Sequence, residues 1–312
     1  MDITALNKHC RKFILVYKED KKVLDDYIRS LKLFDTCIEL SQFSIPKFLQ
    51  NDYIYVFTQM WLRPGNPETR ELIKNPRFIF LNVENLTERY RFEHMTNFID
   101  SGTKIADYST SNIKIMNDYI QTKCPEYPHR LIHLPYQFNL NDFCNLYNAD
   151  HEYDYDVGIV NAYITPSDSV DSSVEYRRNQ FWELVQKQSG WKCINIMGWN
   201  KERDDIIRRC KVIINIHMFS CFRIFQHIRC DRLIFANKII VSDISLFGES
   251  LDIYDHVTWR PFDSIIQATN DILTHFDAMQ YRIEHTPKRT ISDNRHNALQ
   301  EVIDDLCDKN SK

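Results

Sequence analysis

Along the chain, short and nearly continuous apolar runs alternate with stretches whose apolar residues recur every three to four positions. Residues 12–17, 53–59, 77–85 and 104–109 read as buried strands, and "CIEL" (37–40) reads as a shorter one. The intervening 21–34, 89–100 and 110–124 carry helical spacing. After the polar, Tyr- and Asp-rich segment 145–156 the pattern restarts, with strands over 155–163, 191–199, 211–217, 238–243 and 256–261. Helices are expected over 173–190, 201–210, 223–237 and, as one long element, 263–285; a last amphipathic helix follows within 292–312. Apolar strands alternating with helices imply parallel sheets covered on both faces. The fold class expected is therefore α/β, with two doubly wound, Rossmann-like domains facing across a cleft. The expected boundaries are 1–150, 151–285 and a helical tail, 286–312.

The length of 312 residues suits two domains better than one core. With 43% hydrophobic and 26% charged residues, the chain reads as globular. A net charge of -4 supplies no global cationic field, so nucleic acid is not an expected partner. No window approaches the ~18 apolar residues of a membrane span, and no leader is evident, so a cytoplasmic protein without an integral membrane segment is expected. Nine cysteines without a CxxC pair suggest reduced thiols. The six glycines are too dispersed for GxGxxG or a P-loop, so any bound phosphate must be held by side chains and a helix N-terminus.

Candidate chemistry then falls at strand ends, where sheets of this kind bind ligands. His217 closes an apolar strand; Arg223, Gln226, Arg229 and Asp231 follow on the expected helix, and Ser242 and Asp243 close the next strand. Arginine forks suit a diphosphate. The bland alternative is a strand-capping histidine with arginines solvated or paired to Asp231 and Asp243. Glu84 and Asn85 end another strand, as a base or sugar-hydroxyl ligand on one reading and as an N-cap or an ion pair with Arg89 or Arg91 on the other. Asp107, Ser109 and Asn112 mark a third polar edge, against which stands simple helix capping by Ser109 or Ser111. Gly198 and Trp199 offer a ring for a nucleobase or for packing. Asp150, His151, Glu152, Asp154 and Asp156 are possible metal ligands, but they read as a linker, and no metal is expected.

The run "YDVGIV...EYRRNQFWELV...INIMGW...RRCKVIINIHMFSCFRIFQHIRCDRLIFANKIIVSD" resembles the donor-binding half of GT-B glycosyltransferases. It is most similar to the spore-coat-protein-like enzymes of bacteria and their relatives in large DNA viruses. The matching positions are Asn215, His217, Gln226, Arg229, Ser242 and Asp243. "FLNVEN" and "ADYSTSNIKIM" resemble first-domain segments of that family, matching Glu84, Asn85, Asp107, Tyr108 and Ser109. The resemblance covers residues 78–245. It implies transfer of a sugar from a nucleotide-diphosphate donor with neither metal nor other cofactor, the first domain taking the acceptor and the second the donor. Arg223 and Arg229 would then lie near the diphosphate, with His217 catalytic or hydrogen-bonded to donor or acceptor. Asp231 or Asp243 would hold sugar or ribose hydroxyls, and Glu84 would serve as an acceptor-side base. The acceptor, whether glycan, lipid or protein, stays open, and a viral member would work in host cytoplasm. Retaining members usually carry Glu-x7-Glu here; this chain has Arg223 and Asp231, Gln226 where an acid is expected, and Asn237 in place of glycine. A non-catalytic binding or scaffold module of the same fold is the alternative.

Overall fold

The computed structural model describes residues 12–17, 21–50, 52–58, 70, 72–126, 131–160, 177–188, 190–198 and 200–308. Two compact units emerge, residues 1–137 with 293–312, and residues 138–292. The division thus falls at 137/138 and not at 150, and 293–312 groups with the first unit.

The first unit holds β1 (Phe13–Tyr17), α1 (Lys21–Leu31), β2 (Thr36–Glu39), α2 (Ile45–Gln50), β3 (Ile54–Thr58) and β4 (Phe78–Asn82). It continues through α3 (Arg89–Asp100), β5 (Lys104–Asp107), α4 (Thr110–Lys123) and β6 (Leu131–His133). All six strands are parallel, in the order β2-β1-β3-β4-β5-β6. Every residue of β3 and β4 is buried. Their aromatic and β-branched side chains fit a pleated surface packed from both sides, as where Phe80 stacks on Phe98 of α3 at 4.3 Å between ring centroids.

The second unit begins with α5 (Leu140–Leu146), then β7 (Tyr155–Val160), α6 (Arg177–Gln188), β8 (Cys193–Ile196), α7 (Asn200–Arg208), β9 (Cys210–Asn215) and α8 (His227–Phe235). It continues with β10 (Ile239–Asp243), β11 (Thr258–Arg260), α9 (Ile265–Thr274) and α10 (Phe276–His285). A final helix, α11, spans Arg289–Asp308. The sheet is parallel, ordered β11-β10-β9-β7-β8. Its neighbours alternate between two separate cores. Ile213 and Ile240 pack on one face, while Val212, Ile214, Ile239 and Val241 pack on the other. Covering both faces explains why these strands read as unbroken apolar runs.

Three sequence expectations change here. First, part of the expected linker is α5, which the second unit claims: buried Arg232 of α8 donates to Asp142 of α5 at 3.1 Å and to both carboxylate oxygens of Asp204 on α7 at 2.8 Å. Second, the helix expected from 223 starts at His227, because the Gln226 backbone is non-helical at φ -88°, ψ 70°. Third, the long helix over 263–285 is two helices meeting at His275, where Thr269 and Thr274 bond back to Ile265 and Asn270 carbonyls, an arrangement that bends helices. Seven described cysteines are free, but Cys307 is disulfide-bonded, contrary to the expectation of reduced thiols throughout. Among the described residues no helix is long and apolar enough to cross a membrane.

Gly158 in β7 lies where a Cβ would come within 2.6 Å of Ile196 Cδ1 and 2.7 Å of Cys210 Sγ. Both neighbours belong to the packed core. Gly158→Ala should therefore destabilise the second unit by about 1–3 kcal/mol through overpacking, measured as a lower urea midpoint; an unchanged midpoint would show that the two side chains yield freely.

Candidate functional site

In the second sheet the chain runs from β7 to β8 on one side and then returns to β9 on the other. This reversal places a topological switch point between β7 and β9, and parallel sheets bind ligands outside the carboxyl ends of strands at that point. The side chains gathered there come from the start of α6, from the loop after β9, and from β10.

Arg177 and Arg178 open α6. Arg178 is 3% exposed, and its Nε donates to the Ile216 carbonyl at 2.8 Å. Among the described residues no carboxylate pairs with it. Burial, and then the nearby Arg229 guanidinium, push its pKa well below the usual arginine range. Arg177 is half-buried, with Nη2 2.9 Å from Asp243 Oδ2 and its guanidinium over the Phe262 ring at 4.5 Å. Arg229 Nη1 reaches Asn215 Oδ1 at 3.4 Å, and Asn215 Nδ2 donates to Ser242 Oγ at 3.0 Å.

His217 sits among these groups. It is 1% exposed, its Nε2 lies 3.1 Å from Ser245 Oγ, and its Nδ1 makes no hydrogen bond of ordinary geometry. Burial lowers its pKa to about 3; the Ile244 backbone opposes the shift, and Arg177, Arg178 and Arg229 add to it. The imidazole is thus neutral near pH 7, suited to hydrogen bonding and too weakly basic to collect a proton. Asp243 is buried. Burial raises its carboxyl to about 6 with a smaller contribution from Asp263, opposed by Arg177 and the Ile244 backbone.

The other predicted donor residues fall differently. Arg223 is exposed in the loop before α8 instead of on the helix, and its carbonyl accepts from Leu246 N–H at 2.6 Å. Gln226 is the N-cap of α8, yet its side chain makes no capping bond. Asp231 is fully buried and turned to His227 Nδ1, 3.0 Å away on the same helix, so it is not presented to a sugar. Ser242 is sealed between Asn215 and the Asp243 carbonyl. Gly198 is exposed with φ +86°, a conformation glycine tolerates readily. Trp199 lies outside the described residues. Of the possible metal ligands, Asp154 pairs with Arg209 and Asp156 with Lys211, and the described residues contain no cluster able to hold a metal.

The first-unit residues form a separate network. Asp107 is fully buried and accepts from Asn82 Nδ2 at 2.6 Å, Ser109 N–H at 2.7 Å and Asn112 Nδ2 at 3.2 Å. Burial pushes it up to about 8 against those three donors. Ser109 is the N-cap of α4, its Oγ accepting from Asn112 N–H. Glu84 is ion-paired with Arg91, and Asn85 accepts from Thr87 N–H and Oγ1. These bonds join the β4 and β5 loops to α4.

Sequence reading missed Arg177, Arg178 and Ser245 as site residues. The arginines carried a usable signal, being adjacent cations at the first helix after the first strand of the second half.

No family model matches the chain. It is 28% identical over 268 residues to the uncharacterized protein L140 of Acanthamoeba polyphaga mimivirus, covering 83% of this chain and 77% of that protein. Two longer uncharacterized proteins of the same virus are 28% identical over 192 residues and 26% identical over 293; the chain spans 19% and 35% of their lengths. The protein is thus related to those of a large DNA virus. Among solved structures, Rhodotorula graminis D-mandelate dehydrogenase aligns over 88% of this chain and 94% of that one at 12% identity, but the TM-score of 0.22 carries no argument.

Because folded His217 resists protonation while the unfolded chain takes a proton near pH 6.5, its contribution leaves stability intact above pH 6.5 and erodes it as pH falls toward 3. From pH 7 to 5 the cost should be about 2 kcal/mol, seen as the difference between wild type and His217→Gln in urea unfolding. Equal pH slopes in both proteins would contradict a neutral buried imidazole.

Proposed function

We propose that this protein is a metal-independent glycosyltransferase of the GT-B type, the second unit holding a nucleotide-diphosphate sugar and the first serving the acceptor. The observation that carries the reading is Arg178, a buried guanidinium with no carboxylate partner among the described residues, at the switch point of a parallel sheet. An uncompensated buried cation is costly, whereas an anion delivered by a ligand would offset that cost. Arg177 and Arg178 stand in the first described turn of α6, where the helix dipole adds to the pull on a phosphate. On this reading they and Arg229 neutralise the leaving diphosphate, a task a metal would otherwise perform, and neutral His217 hydrogen-bonds the donor. Resemblance over residues 78–245 supplies the reaction class.

The placement of carboxylates favours one alternative, a binding module without catalysis. Asp231 is turned to His227 and Glu84 to Arg91, so two of the acids expected to serve the sugars are committed elsewhere.

A thermal-shift series with UDP, GDP, CDP and their sugars tests the site. A donor at 100 times its Kd should stabilise the fold by about 2.7 kcal/mol. Arg178→Met should lose roughly tenfold or more in that affinity without lowering the melting temperature of the free protein, because the buried charge goes too. No response to any nucleotide would overturn the reading; binding without hydrolysis or transfer would select the binding module.

A further inference from the structure

Arg177 meets a carboxylate at the same sheet edge where its neighbour Arg178 meets none among the described residues. Asp243 Oδ2 lies 2.9 Å from Arg177 Nη2, although that oxygen makes no hydrogen bond of ordinary geometry. The contact is therefore one of charge against charge, not a directional fork. Arg177 is tethered by its backbone N–H to the Met218 carbonyl at 3.1 Å, and its guanidinium plane lies over Phe262. Asp243 is fixed at the end of β10, in register with Arg260 of β11, and the next residue, Ile244, donates to the Arg260 carbonyl. Both partners are thus held in place by backbone, and the carboxylate occupies one side of the guanidinium.

We propose that Asp243 is a resident stand-in for the ligand's oxyanion: it holds Arg177 in the ligand-free protein and competes with the ligand's phosphate for that guanidinium. The inference rests on the anion site of the proposed function and specifies what sets its affinity. An incoming phosphate gains Arg177 only by displacing or sharing the carboxylate, and it suffers repulsion from that carboxylate meanwhile. Asp243 therefore weakens anion binding. This is opposite in sign to the sequence-based expectation that Asp243 holds sugar or ribose hydroxyls, since an acid that accepts from hydroxyls strengthens donor binding. Arg178, paired with no carboxylate among the described residues, meets the anion without such competition.

The two signs separate in one experiment on the full chain at pH 7.5, with sulfate as the simple dianion and UDP-glucose as the diphosphate ester, both followed by calorimetry. Asp243→Asn, nearly isosteric, should tighten sulfate binding about tenfold, the size of a one-unit electrostatic effect. Asp243→Ser should act in the same direction, which excludes an artefact of the amide, and Arg177→Gln should weaken sulfate binding whether residue 243 is Asp or Asn. Unchanged or weaker sulfate binding in both Asp243 variants, or no sulfate binding by any form, overturns the inference. If sulfate tightens and UDP-glucose does not bind, competition by Asp243 stands while the nucleotide-sugar reading must find another ligand. If UDP-glucose binds wild type and both variants bind sulfate and UDP-glucose less well, the nucleotide reading stands and the stand-in role falls.

Discussion

A parallel sheet buried on both faces confines polar chemistry to its strand ends, and that constraint organises this protein. In β9 and β10 the central side chains go alternately to two cores, and the charge β9 carries, Lys211 near its start, is paired with Asp156 of β7. Gly158 shows how tightly the constraint binds, because even one methyl group would strike Ile196 and Cys210. Polar residues appear as the strands finish: Asn215 at the end of β9 and His217 beyond it, Ser242 and Asp243 at the end of β10 and Ser245 beyond it. The β7–β9 reversal brings the start of α6 to the same edge, and with it Arg177 and Arg178.

The electrostatics of that edge differ from those of other buried charges in the chain. Arg232 faces two aspartates, an arrangement that fastens three helices and leaves its charge compensated. Asp107 is enclosed by three donors that join loops to α4. Arg178 is as well buried as these groups, yet among the described residues it bonds to a carbonyl and pairs with no carboxylate. A structural role accounts well for Arg232 and Asp107. On the proposed reading, a ligand that brings its own negative charge accounts for Arg178.

Much of the fold was legible because its cause is periodic. Continuous apolar runs marked the strands, and 89–100 matched α3 at both ends. Boundaries set by tertiary contacts were hidden: α5 joins the second unit through Arg232, and the loop up to Gln226 delays α8, neither of which leaves a periodic trace. In the site, His217 and Asp243 were visible as polar residues at apolar strand ends, and Arg229 as a cation on the helix that follows. Arg223 was misplaced along with the start of its helix. Asp231 turns inward to His227 four residues before it, which spacing alone does not show. Arg177 and Arg178 went unnoticed because a pair of arginines at a helix start resembles ordinary solvated surface until the sheet order places it at a switch point.

The most direct measurement of the central claim is side-chain NMR of the arginine Nε–Hε groups in the intact protein during titration with nucleotide-diphosphate sugars. The account predicts that the Arg177 and Arg178 resonances shift together and saturate at one ligand concentration, with first-unit arginines such as Arg29 and Arg89 unmoved. Saturable binding that leaves Arg177 and Arg178 unperturbed would contradict it.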